Sequence, residues 1–195
     1  MKLYYATGTC SLAGHIALHE AGLPFNLVKV DLRTHTLEDG RPYADINAKR
    51  AVPALEFDNG EVLTENVAVL AYIADQKPPL APSGALGHYR LIEMLAYFAS
   101  ELHKAFHPLF DPQSTAVEKK QAAASAEDKL GFVATKLEGP YLFGVHVTVA
   151  DAYLFVMLRW AAKMKLAVPE KLLAFSDRMR ERSAVKLALQ HEGLS

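Results

Sequence analysis

The chain is short of cysteine and of any surplus charge, and each shortage removes a class of function. Its single cysteine, Cys10, cannot close an internal disulfide, so the sequence suits a reducing, cytoplasmic setting. Lysine and arginine number 21 against 22 aspartate and glutamate, a net charge of −1, which leaves no basic face for nucleic acid and no polybasic run for anionic lipid. No apolar run approaches the roughly 18 residues that span a bilayer, so no membrane association is expected. The opening residues carry no charged segment followed by an apolar signal core, so no targeting segment is expected either. Eight histidines are scattered along the sequence. His103 and His107 have the i, i+4 spacing of a zinc pair, but no acidic residue lies between them and Cys10 is far away, so no metal is expected. What remains is 195 residues, 51% of them hydrophobic, enough to bury a core in one large domain or two small ones.

The first eighty residues alternate strand and helix patterns. Lys2-Leu3-Tyr4-Tyr5 reads as a strand, Ala6 to Thr9 as a turn, Ser11 to Gly22 as a helix and Phe25 to Asp31 as a second strand. This is a β-α-β unit with a right-handed crossover. A polar stretch from Arg33 to Arg50 reads as a loop with a short helical turn. Pro53 to Phe57 and Glu61 to Thr64 flank Asp58-Asn59-Gly60 as a hairpin, and Val67, Leu70, Ala71 and Ala74 set a helix over Asn66 to Gln76. Pro78, Pro79, Pro82 and Gly84 then break everything regular, as a linker would. Beyond it the pattern is helical only. Ile92, Leu95, Ala99, Leu102 and Phe106 mark one long helix; Ala122, Ala126, Leu130, Val133 and Leu137 mark a second. Thr148 and Asp151 form a capping box for an apolar helix through Ala162, with Asp151 structural; Pro169 suits a first helical position, and Ser183 suits the cap of a last short helix. The expected domains are 1–80, α/β, and 88–195, all-helical.

Three local signals converge in the first domain. Cys10 sits where strand gives way to helix, facing unpaired N–H groups and the positive end of the helix dipole, which favour thiolate. It reads as a nucleophile or a contact for a sulfur ligand, against an inert residue filling a turn. Pro53 opens a strand after a polar loop; a cis Val52-Pro53 bond would free the Val52 backbone to pair with a peptide-like ligand, against an ordinary trans proline. Thr64-Glu65-Asn66 opens a helix whose N–H groups can hold a carboxylate while Glu65 pairs with an ammonium, against a plain helix cap. Together these suit a small peptide with a thiol in its middle and an α-amino acid head, a description that fits glutathione.

With these residues in hand, the chain resembles the bacterial, beta-class cytosolic glutathione transferases over essentially its whole length. The likeness rests on Met1 to Tyr5, Gly8 to Ala13, Val52-Pro53-Ala54-Leu55, Leu63-Thr64-Glu65, Glu101-Leu102-His103-Lys104, Pro108-Leu109-Phe110, Thr148 to Phe155 and Leu158-Arg159-Trp160. The resemblance implies a thioredoxin-like α/β N-terminal domain, a cis proline at Pro53, an all-α C-terminal domain, and a cytoplasmic homodimer. It further implies detoxifying transfer of glutathione to a small hydrophobic electrophile, with glutathione as co-substrate and no other cofactor. Cys10 then lies against the glutathione sulfur, His103 reaches the same site, and Trp160 with His107 walls the acceptor pocket or, for Trp160, packs in the core. Tyr5 is an alternative sulfur donor, against a partly buried core tyrosine. Arg50 reaches a glycine carboxylate or is solvated.

The departures from the family pattern are specific. Asn66 stands where many relatives have serine, and Ala96 where asparagine is common. Asn47-Ala48-Lys49-Arg50-Ala51 replaces a frequent Pro-Lys-Gly-Gln stretch, and a common lysine is missing around Thr34-His35-Thr36. Two other readings stand beside conjugation: a Cys10-dependent thiol transferase or reductase, in which a second glutathione resolves a mixed disulfide, and a non-catalytic carrier of glutathione or a hydrophobic ligand.

Overall fold

A computed structural model describes residues 1–194. Strand β1 (Lys2–Tyr5) pairs parallel with β2 (Asn26–Asp31) across helix α1 (Ser11–Ala21), the connection expected of the opening unit. On its other edge β1 pairs antiparallel with β4 (Ala54–Glu56), which forms a hairpin with β5 (Val62–Thr64). The hairpin closes at Gly60, whose φ of 86° is the left-handed conformation that glycine adopts without penalty. A two-residue β3 (Thr36–Leu37) and a 3₁₀ turn over Tyr43–Asp45 occupy the stretch read as loop, and the sheet order is β3-β2-β1-β4-β5. Leu3 faces the helices and registers with Leu27 and Leu55, while Tyr4 faces a smaller cluster with Val30, Tyr43 and Ala54.

Helix α2 (Asn66–Gln76) covers the sheet beside α1, and the prolines after it carry only a 3₁₀ turn over Pro78–Leu80. The helices that follow are α3 (Gly87–Tyr97), α4 (His103–Phe110), α5 (Ala116–Thr135), α6 (Val149–Lys163), α7 (Glu170–Glu181) and α8 (Ser183–His191). The second expected domain runs to residue 195, which lies outside the described residues. A mixed sheet with helices followed by an all-helical part is the fold class the sequence pattern indicates. One apolar core runs through both parts, from Leu3, Ile16 and Leu70 to Phe98, Tyr153 and Phe155. Arg182 ties them further: it grips the Glu20 carboxylate with Nε and Nη2 and donates from Nη1 to the Tyr141 hydroxyl at 2.9 Å.

Three expected positions are displaced. Pro169 and Arg182 are the caps of α7 and α8, because their carbonyls already accept from Leu172 and Lys186; Ser183 is therefore the first helical residue and its side chain caps nothing. The long third helix does form, but α3 and α4 are joined by a π-helical turn over Phe98–Leu102. The buried stripe is Leu91, Leu95, Phe98, Leu102 and Phe106, so Leu91 and Phe98 take the places expected of Ile92 and Ala99. Ala96 lies before that turn and is exposed.

Candidate active site

The turn before α1 is built around Ser11, whose buried hydroxyl accepts from the Ala6 N–H at 3.2 Å and lies 2.9 Å from the Thr9 hydroxyl. This sets Cys10 as the N-cap of α1. Its thiol donates to the Val52 carbonyl at 3.3 Å, so the lone thiol and the bend at Val52-Pro53 meet in space, and the bond between those two residues is cis. The bend is pinned from behind, where the Ala51 carbonyl accepts from the Tyr43 hydroxyl at 3.0 Å and from Asn47 Nδ2 at 2.7 Å. One expectation reverses here. Burial pushes the Cys10 thiol up to about 12, outweighing the backbone N–H groups of Cys10 and Ser11 that pull the other way. The helix start alone favours thiolate, but desolvation of the charged form is the larger effect, so Cys10 is a protonated donor. The Val52 carbonyl is likewise engaged by that thiol instead of free.

The start of α2 lies beyond the same edge. Glu65 is its N-cap at φ 73° and ψ 125°, a conformation L-residues rarely adopt and one that clusters at ligand-binding positions. Its exposed carboxylate pairs with Lys49 Nζ. Asn66 is buried, and neither amide atom has a hydrogen-bond partner among the described residues; it faces the Tyr153 hydroxyl without meeting hydrogen-bond geometry. Arg50 is exposed, with a left-handed φ of 56°.

The helical part contributes one wall. His103, the first residue of α4 after the π turn, shares a 2.8 Å hydrogen bond with the Tyr153 hydroxyl, and its ring meets the Trp160 ring edge-on at 4.8 Å. Trp160 also packs against Phe106 and Phe110, and its Nε1–H donates to the Gly8 carbonyl at 2.9 Å, bracing the turn that carries Cys10. His107 is exposed, 6.0 Å from His103 between ring centres. His103 thus joins the site through Tyr153, and its hydrogen bond does not go to Cys10. Tyr5 goes elsewhere: it is buried with its ring 6.1 Å from His15, and burial followed by Glu192 and Glu38 raises its hydroxyl pKa.

Burial, then the neighbouring His107, pulls His103 down to about 4, so the imidazole is neutral at physiological pH. A histidine depressed in the folded state contributes stability that is complete above its unfolded pKa near 6.5 and is lost as pH falls toward 4. His103→Asn removes the titration while offering Tyr153 an amide. Wild type is expected to lose up to about 3 kcal/mol relative to that variant between pH 6.5 and 4, read from urea unfolding midpoints. Parallel profiles would mean that His103 is not held neutral.

Sequence reasoning missed Tyr153, Lys49 and Glu192. Tyr153, 1% exposed, connects His103 to the Cys10 side of the site, and its hydroxyl pKa is raised by burial first and then by Cys10. A tyrosine in an otherwise apolar helix was the available signal. Glu192 accepts from the Gly8 N–H at 2.8 Å across 184 positions, a contact no local pattern announces.

Two family models match the chain: Glutathione S-transferase, N-terminal domain, over residues 8–76, and Glutathione S-transferase, C-terminal domain, over residues 97–183. Among curated proteins the chain is similar to Glutathione S-transferase GstA of Escherichia coli O157:H7, 46% identical over 200 residues that cover 100% of each. Among solved structures it is similar to the ternary complex of BphK, a bacterial GST (TM-score 0.95, 45% identity, 100% of each chain). It is also similar to a sphingomonad glutathione S-transferase complexed with glutathione (TM-score 0.93, 44% identity, 100% of each chain).

Proposed function

The chain belongs to the glutathione S-transferase family, and from that footing we propose that it joins the glutathione thiolate to small hydrophobic electrophiles. The observation that carries the reading is the 3.3 Å approach of the Cys10 thiol to the Val52 carbonyl, beside a buried Asn66 amide without a partner. A peptide laid along this edge puts its main chain at Val52, its sulfur beside Cys10 and its γ-glutamyl head on the first turn of α2. There Asn66 supplies the missing partners, Glu65 takes the ammonium in competition with Lys49, and the helix N–H groups take the carboxylate. Arg50 is in reach of the glycine carboxylate. The nearby thiol can donate to the glutathione sulfur and favour its thiolate, which then forms the carbon–sulfur bond as the acceptor's leaving group departs. Trp160, Phe110, His103 and His107 offer the acceptor a shelf. Glutathione is consumed as co-substrate with no further cofactor, and the working form is a homodimer in the cytoplasm, in a detoxifying role.

A structural asparagine and a ligand-binding one give opposite results on replacement. Asn66→Ala is expected to leave the thermal midpoint unchanged or raised, because it removes two buried polar atoms that bond nothing. The same change is expected to weaken glutathione binding by about 10- to 100-fold, the value of hydrogen bonds to a charged group. Calorimetric titration with glutathione beside a melting curve decides it: a lower midpoint with unchanged affinity makes Asn66 structural and sinks this placement. A wild-type chain that does not bind immobilised glutathione sinks the whole reading.

A further inference from the structure

Away from this site, helix α1 and the end of α8 bring three imidazoles together. His15 and His19 stand one turn apart on α1, and His191 is the last residue of α8. One ring nitrogen from each lies within 4.8 Å of the other two. His15 is fully buried, His19 half-buried and His191 exposed, so the cluster opens to solvent at one end. Phe25 packs edge-on against His15 at 5.7 Å and His19 at 4.9 Å and closes the other side.

We propose that His15, His19 and His191 form a binding site for a borderline divalent transition ion, Zn²⁺ above all, with Glu192 as the carboxylate behind it. Three features support this. First, His15 Nδ1 lies 2.9 Å from Glu192 Oε1, so the carboxylate holds the proton on Nδ1 and turns the Nε2 lone pair toward the other rings. That carboxylate–histidine arrangement is how metal-ligating histidines are held in the right tautomer. Second, His15 Nε2 and His191 Nδ1 are 3.4 Å apart, long for a hydrogen bond but close to the roughly 3.3 Å between two nitrogens on one tetrahedral zinc. Third, His19 Nε2 is buried with no partner among the described residues, a vacancy in hydrogen bonding that a metal would fill. Rotation of the exposed His191 ring closes the remaining spacing. Imidazole ligands suit zinc, copper and nickel over magnesium or calcium, and three histidines leave a fourth position for water. The sequence directed attention to His103 and His107; the trio escaped it because its third member is 172 positions beyond His19 in the numbering.

The test uses the full chain carrying Cys10→Ala, which removes the thiol as a competing ligand, stripped with chelator and titrated with Zn²⁺ alone in buffer free of glutathione. One equivalent is expected to bind at micromolar affinity or tighter and to raise the thermal midpoint, and Co²⁺ in its place is expected to show the visible absorption of a tetrahedral nitrogen site. His19→Gln, at a half-buried position, and His191→Gln, at the open rim, are each expected to weaken binding at least about tenfold while the apo melting curve stays put. Either result overturns the proposal: no saturable binding at about a hundred times micromolar zinc, or binding that both variants leave intact.

Discussion

Asp151→Ala is expected to lower the unfolding free energy by about 3–5 kcal/mol and the thermal midpoint by roughly 10 °C or more. The carboxylate is fully buried at the start of α6. Its Oδ1 accepts from the Leu142 N–H at 2.8 Å, and its Oδ2 accepts from the Thr148 N–H at 2.7 Å and the Thr148 hydroxyl at 2.8 Å. Alanine strands all three donors in the interior, two of them backbone, and the loss is a large share of the roughly 5–15 kcal/mol a domain has in total. Asp151→Asn keeps the shape but turns an amide toward one of those donors, so an intermediate loss is expected. Equal urea midpoints for wild type and alanine variant would show that the box does not hold α6.

The titration of Asp151 runs opposite to that of His103. Burial pushes its carboxyl up to about 6 against the pull of the three donors. An acid raised in the folded state stabilises most below its unfolded pKa near 3.8, and that contribution falls as pH rises toward 6. Acidification therefore helps at Asp151 while it harms at His103, and the two partly cancel in the whole protein. The His103 effect is legible only as a difference between wild type and variant. The cap also matters to the site, since Tyr153 and Trp160 ride on the helix it opens: a frayed start to α6 would loosen both the hydroxyl at His103 and the brace on Gly8.

Much of the fold was legible because its signals are local. Asn59-Gly60 marks the hairpin and Thr148 with Asp151 opens α6 as a capping box, whereas Gly22, read as the last helical residue, caps α1 in a left-handed conformation at φ 67°. The meeting of Cys10 with Val52 was legible for a different reason: a thiol at a helix start and a proline at a strand start each mark the same end of a β-α-β sheet. What stayed hidden depends on tertiary context. The π turn at Phe98–Leu102 leaves no mark in a count by steps of 3.6, and in the same long helix Leu91 and Phe98 are buried where Ile92 and Ala99 were expected. The sign of the Cys10 shift was misjudged because the helix dipole is visible in sequence while the burial that opposes it is not. Lys49 with Glu65 and Glu192 with Gly8 pair across the fold without a shared motif.

The sharpest division among the chemical readings falls on Cys10. In conjugation the nucleophile is the glutathione thiolate, and a Cys10 thiol that burial keeps protonated serves only as a hydrogen-bond donor to it. Cys10→Ala removes one such bond, which to a charged group is worth about 1.5–3 kcal/mol, so conjugation of an aryl halide is expected to fall about 10- to 100-fold and persist. Cys10→Ser restores a donor and should recover most of that loss. Thiol–disulfide exchange behaves otherwise: the Cys10 sulfur must attack the glutathionyl sulfur of the substrate's disulfide and release the substrate thiol, and glutathione must then attack the Cys10–glutathione bond, releasing glutathione disulfide and the free Cys10 thiol. Neither variant has a sulfur at residue 10, so reduction of a glutathionylated peptide is expected to drop to the background of free glutathione in both. Loss of conjugation in the serine variant to the same background would make the sulfur a covalent participant there too, and a protonated donor could not be its role.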